Sequence, residues 1–278
     1  MGILCNTYCS RLGFFTLSMA TLHLPSDTLW FSKGTVLAEW FESWFDEDYA
    51  VLYSHRDAEE ARVAVGRALR VAPELAEGPV LDLACGAGRH LEILRRANPL
   101  AFGMDLSRTL LGMAPGGLRP WLVRGDMRQL PVKEASLQGI CLWFTPFGYF
   151  SDAENRALML RLSALLKPKG VLVMDYLNAD LVARTLVAEG TVERGGVRAQ
   201  SHRSLEGDRL VKRMVLTRLD TGESRDVMES VHLYHPTDLQ EMAVRAGLRL
   251  RRVMGTYSGE AFNENSPRWI GIFEKVRG

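Results

Sequence analysis

Val80-Leu81-Asp82-Leu83-Ala84-Cys85-Gly86-Ala87-Gly88-Arg89-His90 is the stretch on which the fold turns. An apolar strand, Val80–Ala84, runs into a turn carrying two glycines, and a helical pattern over Arg89–Ala97 opens directly behind it. Glycine lets a backbone approach a ligand closely, and the first amides of a helix lack intrahelical partners. The combination predicts a site for polar ligand groups at a helix N-terminus. In open α/β sheets such ligands lie beyond the carboxyl ends of the strands, where the strand order reverses.

The alternation continues downstream. Strand candidates Ala101–Asp105, Trp121–Arg124, Gly139–Phe144 and Gly170–Tyr176 are interleaved with helix candidates Ser107–Ala114 and Asp152–Leu166. Continuous apolar runs such as Val171-Leu172-Val173-Met174 predict strands covered on both faces, hence a parallel sheet. Alternating strands and helices imply right-handed crossovers and a Rossmann-like, doubly wound α/β fold, read here as seven-stranded. Upstream, Val36, Leu37, Trp40, Phe41, Trp44 and Phe45 recur at helical spacing, which predicts a helix over Gly34–Phe45. A second helix is predicted over Asp57–Val71, with Asp57 and Glu60 in a capping-box pattern.

The pattern changes after Asn178. Residues 191–234 read as three or four β segments with turns at Gly195-Gly196, Gly207-Asp208 and Thr221-Gly222. Met228, Ser230, His232 and Tyr234 alternate with Val227, Glu229, Val231 and Leu233, which predicts a half-buried antiparallel sheet. Pro236–Ala246 returns to helix, stopped by Gly247, and Leu248–Met254 and Arg268–Glu274 read as closing strands. The expected organisation is a disordered tail over 1–32, a helical lid over 33–72, a core from 73–190 and 235–278, and an antiparallel β insertion over 191–234.

Two ligand classes compete for the glycine turn. A dinucleotide fingerprint needs a third small residue, but position 91 is leucine. Asp82-Leu83-Ala84-Cys85-Gly86-Ala87-Gly88 instead resembles the first motif of class I S-adenosylmethionine (SAM)-dependent methyltransferases, an acidic strand end followed by x-x-G-x-G. The resemblance covers about residues 35–278 and is nearest the bacterial small-molecule branch with an antiparallel β insertion. It implies SAM as cofactor, S-adenosylhomocysteine (SAH) as product, and a turn of Asp82, Ala84, Cys85, Gly86 and Gly88 around the ligand. Asp105, with Leu106 beside it, is implied to take the ribose hydroxyls; by itself Asp105 equally suits a helix cap. Asp126 is implied to bind the adenine amino group and Met127 to pack on the ring, though a turn aspartate is the plainer alternative.

Trp143 and Phe144 close the fourth strand, where the family's backbone carbonyls hold the SAM amino group. Tyr53 and Arg56 resemble its lid over the methionine end, and Arg56 suits either the SAM carboxylate or a solvated flank. Candidate catalytic residues are Tyr149, Asp175, Tyr176 and His232, each with an ordinary structural alternative. Leu165-Leu166-Lys167-Pro168-Lys169-Gly170 resembles a structural turn of the family before its fifth strand. Leu142–Phe150 lacks the Asn/Asp-Pro-Pro-Tyr/Phe motif used by many enzymes that methylate exocyclic or amide nitrogens.

Bulk properties narrow the partners. Lys+Arg is 34 against Asp+Glu 33, so no bulk attraction to nucleic acid or membrane is built in, and a small-molecule acceptor is expected. Cys5, Cys9, Cys85 and Cys141 form no CxxC or Cys/His spacing, so no metal is expected and a reducing cytoplasm is. Leu12–Leu24 is too short and polar to span a bilayer, and Met19 offers an alternative start. The β insertion suits a cover over the site, a homodimer contact, or both. A nicotinamide-dependent oxidoreductase and a non-catalytic SAM-binding protein are the rival readings.

Overall fold

A computed structural model describes residues 40–276. The tail over 1–32, and Val36 and Leu37 of the first helix candidate, lie outside the described residues. From Trp40 onward the segment expected to form the lid holds two short helices, α1 (Trp40–Trp44) and α2 (Glu47–Leu52). Asp46 caps α2 by accepting the Tyr49 amide at 3.1 Å. The single helix expected to run to Phe45 therefore stops at Trp44, and α2 was not foreseen. The cap opens an acidic run, Asp46-Glu47-Asp48, set between aromatics whose helical spacing masks it.

α3 (Ala58–Val71) is capped by Asp57, which accepts the Glu60 amide at 2.9 Å. The expected reciprocal half of a capping box does not form. Glu60 turns instead to Arg89, at 2.8 Å, and ties α3 to α4 (Arg89–Ala97).

The main sheet comprises β1 (Val80–Leu83), β2 (Ala101–Asp105), β3 (Leu122–Arg124), β4 (Leu137–Leu142), β5 (Leu166–Leu177), β10 (Leu248–Met254) and β11 (Arg268–Lys275). Their order is β10-β11-β5-β4-β1-β2-β3. β1 pairs in parallel with both β2 and β4, while β11 runs antiparallel to both β5 and β10. The sheet is thus seven-stranded and mixed. The chain leaves β1 toward β2 and β3, then returns to β4 on the other flank, so the order reverses between β1 and β4. Consecutive residues point to opposite faces, and Leu81 and Asp82, Ile140 and Cys141, and Leu172 and Val173, on three adjacent strands, are all buried, as a sheet clad on both faces requires.

Several strand boundaries differ from expectation. β1 ends at Leu83 rather than Ala84, and β4 spans Leu137–Leu142 rather than Gly139–Phe144, with Ala84 and Phe144 at positive φ beyond the strand ends. Trp121 closes a 3₁₀ turn, which shortens β3 to three residues. Leu166–Gly170 is the start of β5 rather than a separate turn; its irregularity is a bulge in the pairing with β4, with Lys169 at φ +65°. α5 (Arg108–Gly112) and α6 (Asp152–Leu165) lie between the strands, and Ser151 closes a complete capping box with Glu154 on α6.

α7 (Ala179–Thr185), another element not foreseen, precedes a separate sheet of β6 (Glu189–Arg194), β7 (Val197–Glu206), β8 (Arg209–Arg218) and β9 (Ser224–His232). This sheet is an antiparallel meander with its turns where the glycines place them. α8 (Pro236–Arg245) leads back to the core. The alternation expected along β9 fails at its end, where Glu229, Ser230, Val231 and His232 are all buried. Glu229 meets Trp44 of the lid, while Arg209 covers Ser230 and Tyr234 stacks on His232, so both faces are occupied. Among the described residues no helix is long and apolar enough to cross a membrane.

Candidate functional site

The backbone is strained where the strand order reverses. Ala84, after β1, has φ +58°, and Phe144 and Thr145, after β4, have φ +66° and +61°. Such conformations are costly for non-glycine residues and cluster at functional sites. Here they are held in place: Asp175 accepts the Phe144 amide at 2.7 Å, and Cys85 N–H donates to Met104 O at 3.1 Å.

A pocket of about 500 Å³, counted with its mouth, opens beside this point. Leu83 at the end of β1 and Ala84 after it, Met104 and Asp105 at the end of β2 with Leu106 after it, and Gly125, Asp126 and Met127 after β3 form one side. Phe41 and Phe45 of the lid, Leu110 of α5, and Tyr149 and Phe150 after β4 form the other. The structure thus brings Ala84, Asp105, Leu106, Asp126, Met127 and Tyr149 together from the expected set. Phe41 and Phe45 had been read only as helix periodicity. Their aromatic neighbours were the one available signal of a lining role.

Asp105 is anchored rather than loose. Its Oδ2 accepts the Gly86 amide at 2.7 Å and its Oδ1 the Ser107 amide at 2.8 Å. Burial pushes its carboxyl upward, and the amides of Ser107, Gly86 and Leu106 draw it part of the way back. A carboxylate has about four acceptor positions, so capacity remains for a hydroxyl donor. The cap of α5 falls to Ser107, which accepts the Leu110 amide at 3.0 Å, so Asp105 is not needed there. Asp126 accepts the Arg128 amide on Oδ1 at 2.8 Å and the Arg128 guanidinium on Oδ2 at 2.8 and 2.6 Å. Partial burial pushes this acid up, but Arg128 outweighs it and holds the group below the usual carboxylate range.

Asp82 lies behind the turn and is 1% exposed. Neither of its carboxylate oxygens has a hydrogen-bond partner at normal geometry among the described residues. Burial raises its pKa to about 8; Arg89 opposes the rise and Asp105 adds to it. Cys85 is an inert thiol, pushed well above its usual value by burial and by Asp82 and Asp105. Gly88, at φ +80°, begins α4, and a Cβ there would collide with Leu118.

The ring of Phe144 has three guanidinium groups over it: Arg56 at 3.8 Å, Arg89 at 4.6 Å and Arg268 at 5.4 Å. Trp143 stacks on His90 at 5.0 Å, and the indole nitrogen and His90 Nε2 both lack partners among the described residues. The Tyr53 hydroxyl accepts from Lys212 at 2.7 Å and donates to Glu229 at 3.2 Å.

Of the four catalytic candidates, Tyr149 lines the pocket, and burial pushes its phenol well above the usual range. Asp175 is occupied by the Phe144 amide, the Tyr257 hydroxyl at 2.6 Å and Arg268 Nε at 2.7 Å. Tyr176 is fully buried and donates to the His232 carbonyl, and His232 Nε2 lies 3.0 Å from Asp208. Those three side chains are held by protein partners away from the pocket lining. The spacing of the sequence could not show this, because their partners are distant in the chain.

A family profile described as a methyltransferase domain matches residues 80–170. The dTDP-3-amino-3,6-dideoxy-α-D-glucopyranose N,N-dimethyltransferase of Streptomyces fradiae is 30% identical over 226 residues, 77% of this chain and 84% of that protein. The dTDP-3-amino-3,4,6-trideoxy-α-D-glucopyranose N,N-dimethyltransferase of Streptomyces venezuelae is 29% identical over 188 residues, 65% of this chain and 79% of that protein. A SAM-dependent methyltransferase of Clostridium acetobutylicum shares the fold, with a TM-score of 0.70 at 18% identity over 82% of this chain and 96% of that one. These matches support methyl transfer over the nicotinamide-dependent and non-catalytic readings. Their extent, over a sheet of this order with its site at the reversal point, establishes that the chain belongs to the class I SAM-dependent methyltransferases.

Proposed function

We propose that the pocket takes the adenosine half of SAM and that the acceptor is the amino group of a small, sugar-like molecule. Asp105 and Leu106 hold the ribose; Asp126 and Met127 hold the base against Ala84. The methionine half lies along Cys85, Gly86 and Gly88, with Trp143, Phe144, Tyr53 and Arg56 around it. The observation that carries this reading is the Asp82 carboxylate, buried directly behind the turn with no hydrogen-bond partner at normal geometry among the described residues. A buried carboxylate is costly unless a cation or donors reach it, so the site fits the ammonium of an amino-acid ligand.

SAM supplies a methyl group already activated on a sulfonium. The chain's task is then position and exclusion of water. Phe41, Phe45, Tyr149 and Phe150 wall the pocket, with Tyr149 4.9 Å from Trp40 and Phe150 5.3 Å from Phe41. Aromatic faces favour positive charge, which in an N-methylation passes from sulfonium to ammonium. An amine needs no strong base when it reaches the site unprotonated, in keeping with a lining whose one hydroxyl-bearing aromatic is a deeply buried tyrosine. The names of the two curated relatives, both amino-sugar N,N-dimethyltransferases, support the same acceptor class.

The test is transfer from labelled SAM to a dTDP-amino sugar beside its hydroxyl counterpart. Label on the amine, and none on the hydroxyl sugar, is expected. Transfer only to the hydroxyl sugar, or to neither by a chain that binds SAH, would reject the acceptor class.

A further inference from the structure

Arg209, the first residue of β8 in the inserted sheet, reaches across to the loop after β4. Its Nη1 donates to the Phe150 carbonyl at 2.9 Å, and Nη2 to the Tyr149 carbonyl at 2.9 Å and the Gly148 carbonyl at 3.4 Å. The same guanidinium holds Ser230 on β9, through Oγ at 2.7 Å and the carbonyl at 3.0 Å. Three consecutive carbonyls therefore converge on one cation that also grips the neighbouring strand. Among the described residues the guanidinium bonds no carboxylate; its donors go to neutral oxygens. Burial depresses its pKa, with Asp208 opposing, so the cation is kept in a partly desolvated place by these carbonyls.

The loop has little freedom to find another path. Gly148 has φ +96°, and a Cβ there would come within 2.7 Å of Tyr176 Oη and 3.1 Å of Val231 Cγ1. Its carbonyl also accepts the His232 amide at 2.8 Å. The backbone of the loop is thus fastened to the insertion while Tyr149 and Phe150 line the pocket.

We propose that Arg209 is a positioning residue for the cofactor site: from the inserted sheet it sets the wall formed by Tyr149 and Phe150. This rests on the assignment of the pocket to SAM. Arginine is required because its planar fork serves several acceptors at once, which a lysine ammonium at one point cannot. Without it, three carbonyls lose their shared donor and the wall shifts.

The test is calorimetric SAH binding by wild-type protein, Arg209→Ala, Arg209→Lys, Tyr149→Ala and the Arg209→Ala/Tyr149→Ala double variant. Arg213→Ala serves as control, because that side chain, also on β8, pairs with Glu206 at the end of β7 and, among the described residues, makes no hydrogen bond to the loop after β4. Arg209→Ala is expected to weaken SAH about tenfold or more, with Arg209→Lys recovering part of the loss. Once Tyr149 is gone, removing Arg209 should cost clearly less than it does in the wild-type background, because half of the wall it acts through is absent. Arg213→Ala should bind as wild type. A folded Arg209→Ala with wild-type affinity, or losses that multiply in the double variant, overturns the proposal. Should Arg209→Ala fail to fold, Arg209→Lys carries the comparison, and its binding SAH as tightly as wild type overturns it equally. A wild-type chain that does not bind SAH removes the cofactor assignment itself, and this inference with it.

Discussion

Trp44 in the lid donates its indole N–H to Glu229 of the inserted sheet at 2.6 Å, and that carboxylate is 0% exposed. Lys212 lies 4.0 Å from the same carboxylate, at the limit of an ion pair, and the Tyr53 hydroxyl bridges the gap. Burial pushes Glu229 up, but Lys212 and the Trp44 and Tyr53 donors outweigh it and hold the acid below its usual range. The lid and the insertion are further joined by Arg218–Asp48 at 3.0 Å and by Arg225 to Asp46 and Asp48 at 2.5 and 2.8 Å. The aromatic wall of the pocket thus rests on a polar joint between two segments remote in sequence.

Glu229→Gln tests that joint. Gln keeps an acceptor for Trp44 and Tyr53 but leaves the buried Lys212 ammonium without its counter-charge. Removing one member of a buried pair costs about 3–5 kcal/mol. Denaturant unfolding at neutral pH should show a loss of about that size; a loss below about 1 kcal/mol would mean the pair carries no weight.

Asp82→Asn separates folding from binding. With its folded pKa raised to about 8, the acid stays protonated while the unfolded chain ionises. The native state therefore loses stability, relative to a neutral residue, as pH rises from about 4 to about 8, by on the order of 1 kcal/mol per pH unit at most. Melting curves of the ligand-free wild type should fall across this window more steeply than those of Asp82→Asn. A bound ammonium favours the ionised acid and releases a proton, so wild-type SAH affinity should rise between pH 6 and pH 8, and Asp82→Asn should flatten that rise. Parallel pH profiles for the two proteins would contradict the placement of the ammonium at Asp82.

Asp175→Asn decides whether that residue shapes the site or acts in the chemistry. Its carboxylate holds the Phe144 amide, Tyr257 and the largely buried Arg268, so neutralising it should cost about 3 kcal/mol of stability. Denaturant unfolding reads the loss. A variant of unchanged stability that transfers no methyl would return Asp175 to the catalytic candidates.

Much of this was legible in the sequence because it is local. The Val80–His90 turn, the apolar runs of β1, β2 and β5, and the glycine turns of the inserted sheet follow from patterns within a dozen residues. What escaped depends on distant partners. Nothing near Glu229 announces that it will be buried against Trp44, 185 residues away, and the alternation of β9 predicts only a half-buried sheet. The same holds for Asp175 and Tyr176, whose apolar strand resembles a route to the acceptor until Arg268 and the His232 carbonyl are seen to occupy them. α2 was hidden because Phe41, Phe45 and Tyr49 keep helical spacing across Asp46, although only Phe41 and Phe45 line the pocket.

With Asp105 as the ribose-binding carboxylate at the reversal point of the sheet, SAH affinity must depend on that side chain. Titration calorimetry of SAH into wild type and Asp105→Ala measures this directly. The expected result is one SAH per wild-type chain, with affinity reduced by about 1–3 kcal/mol in the variant through the lost charge-assisted hydrogen bonds. Equal affinity in the two proteins, with the variant still folded, would contradict it.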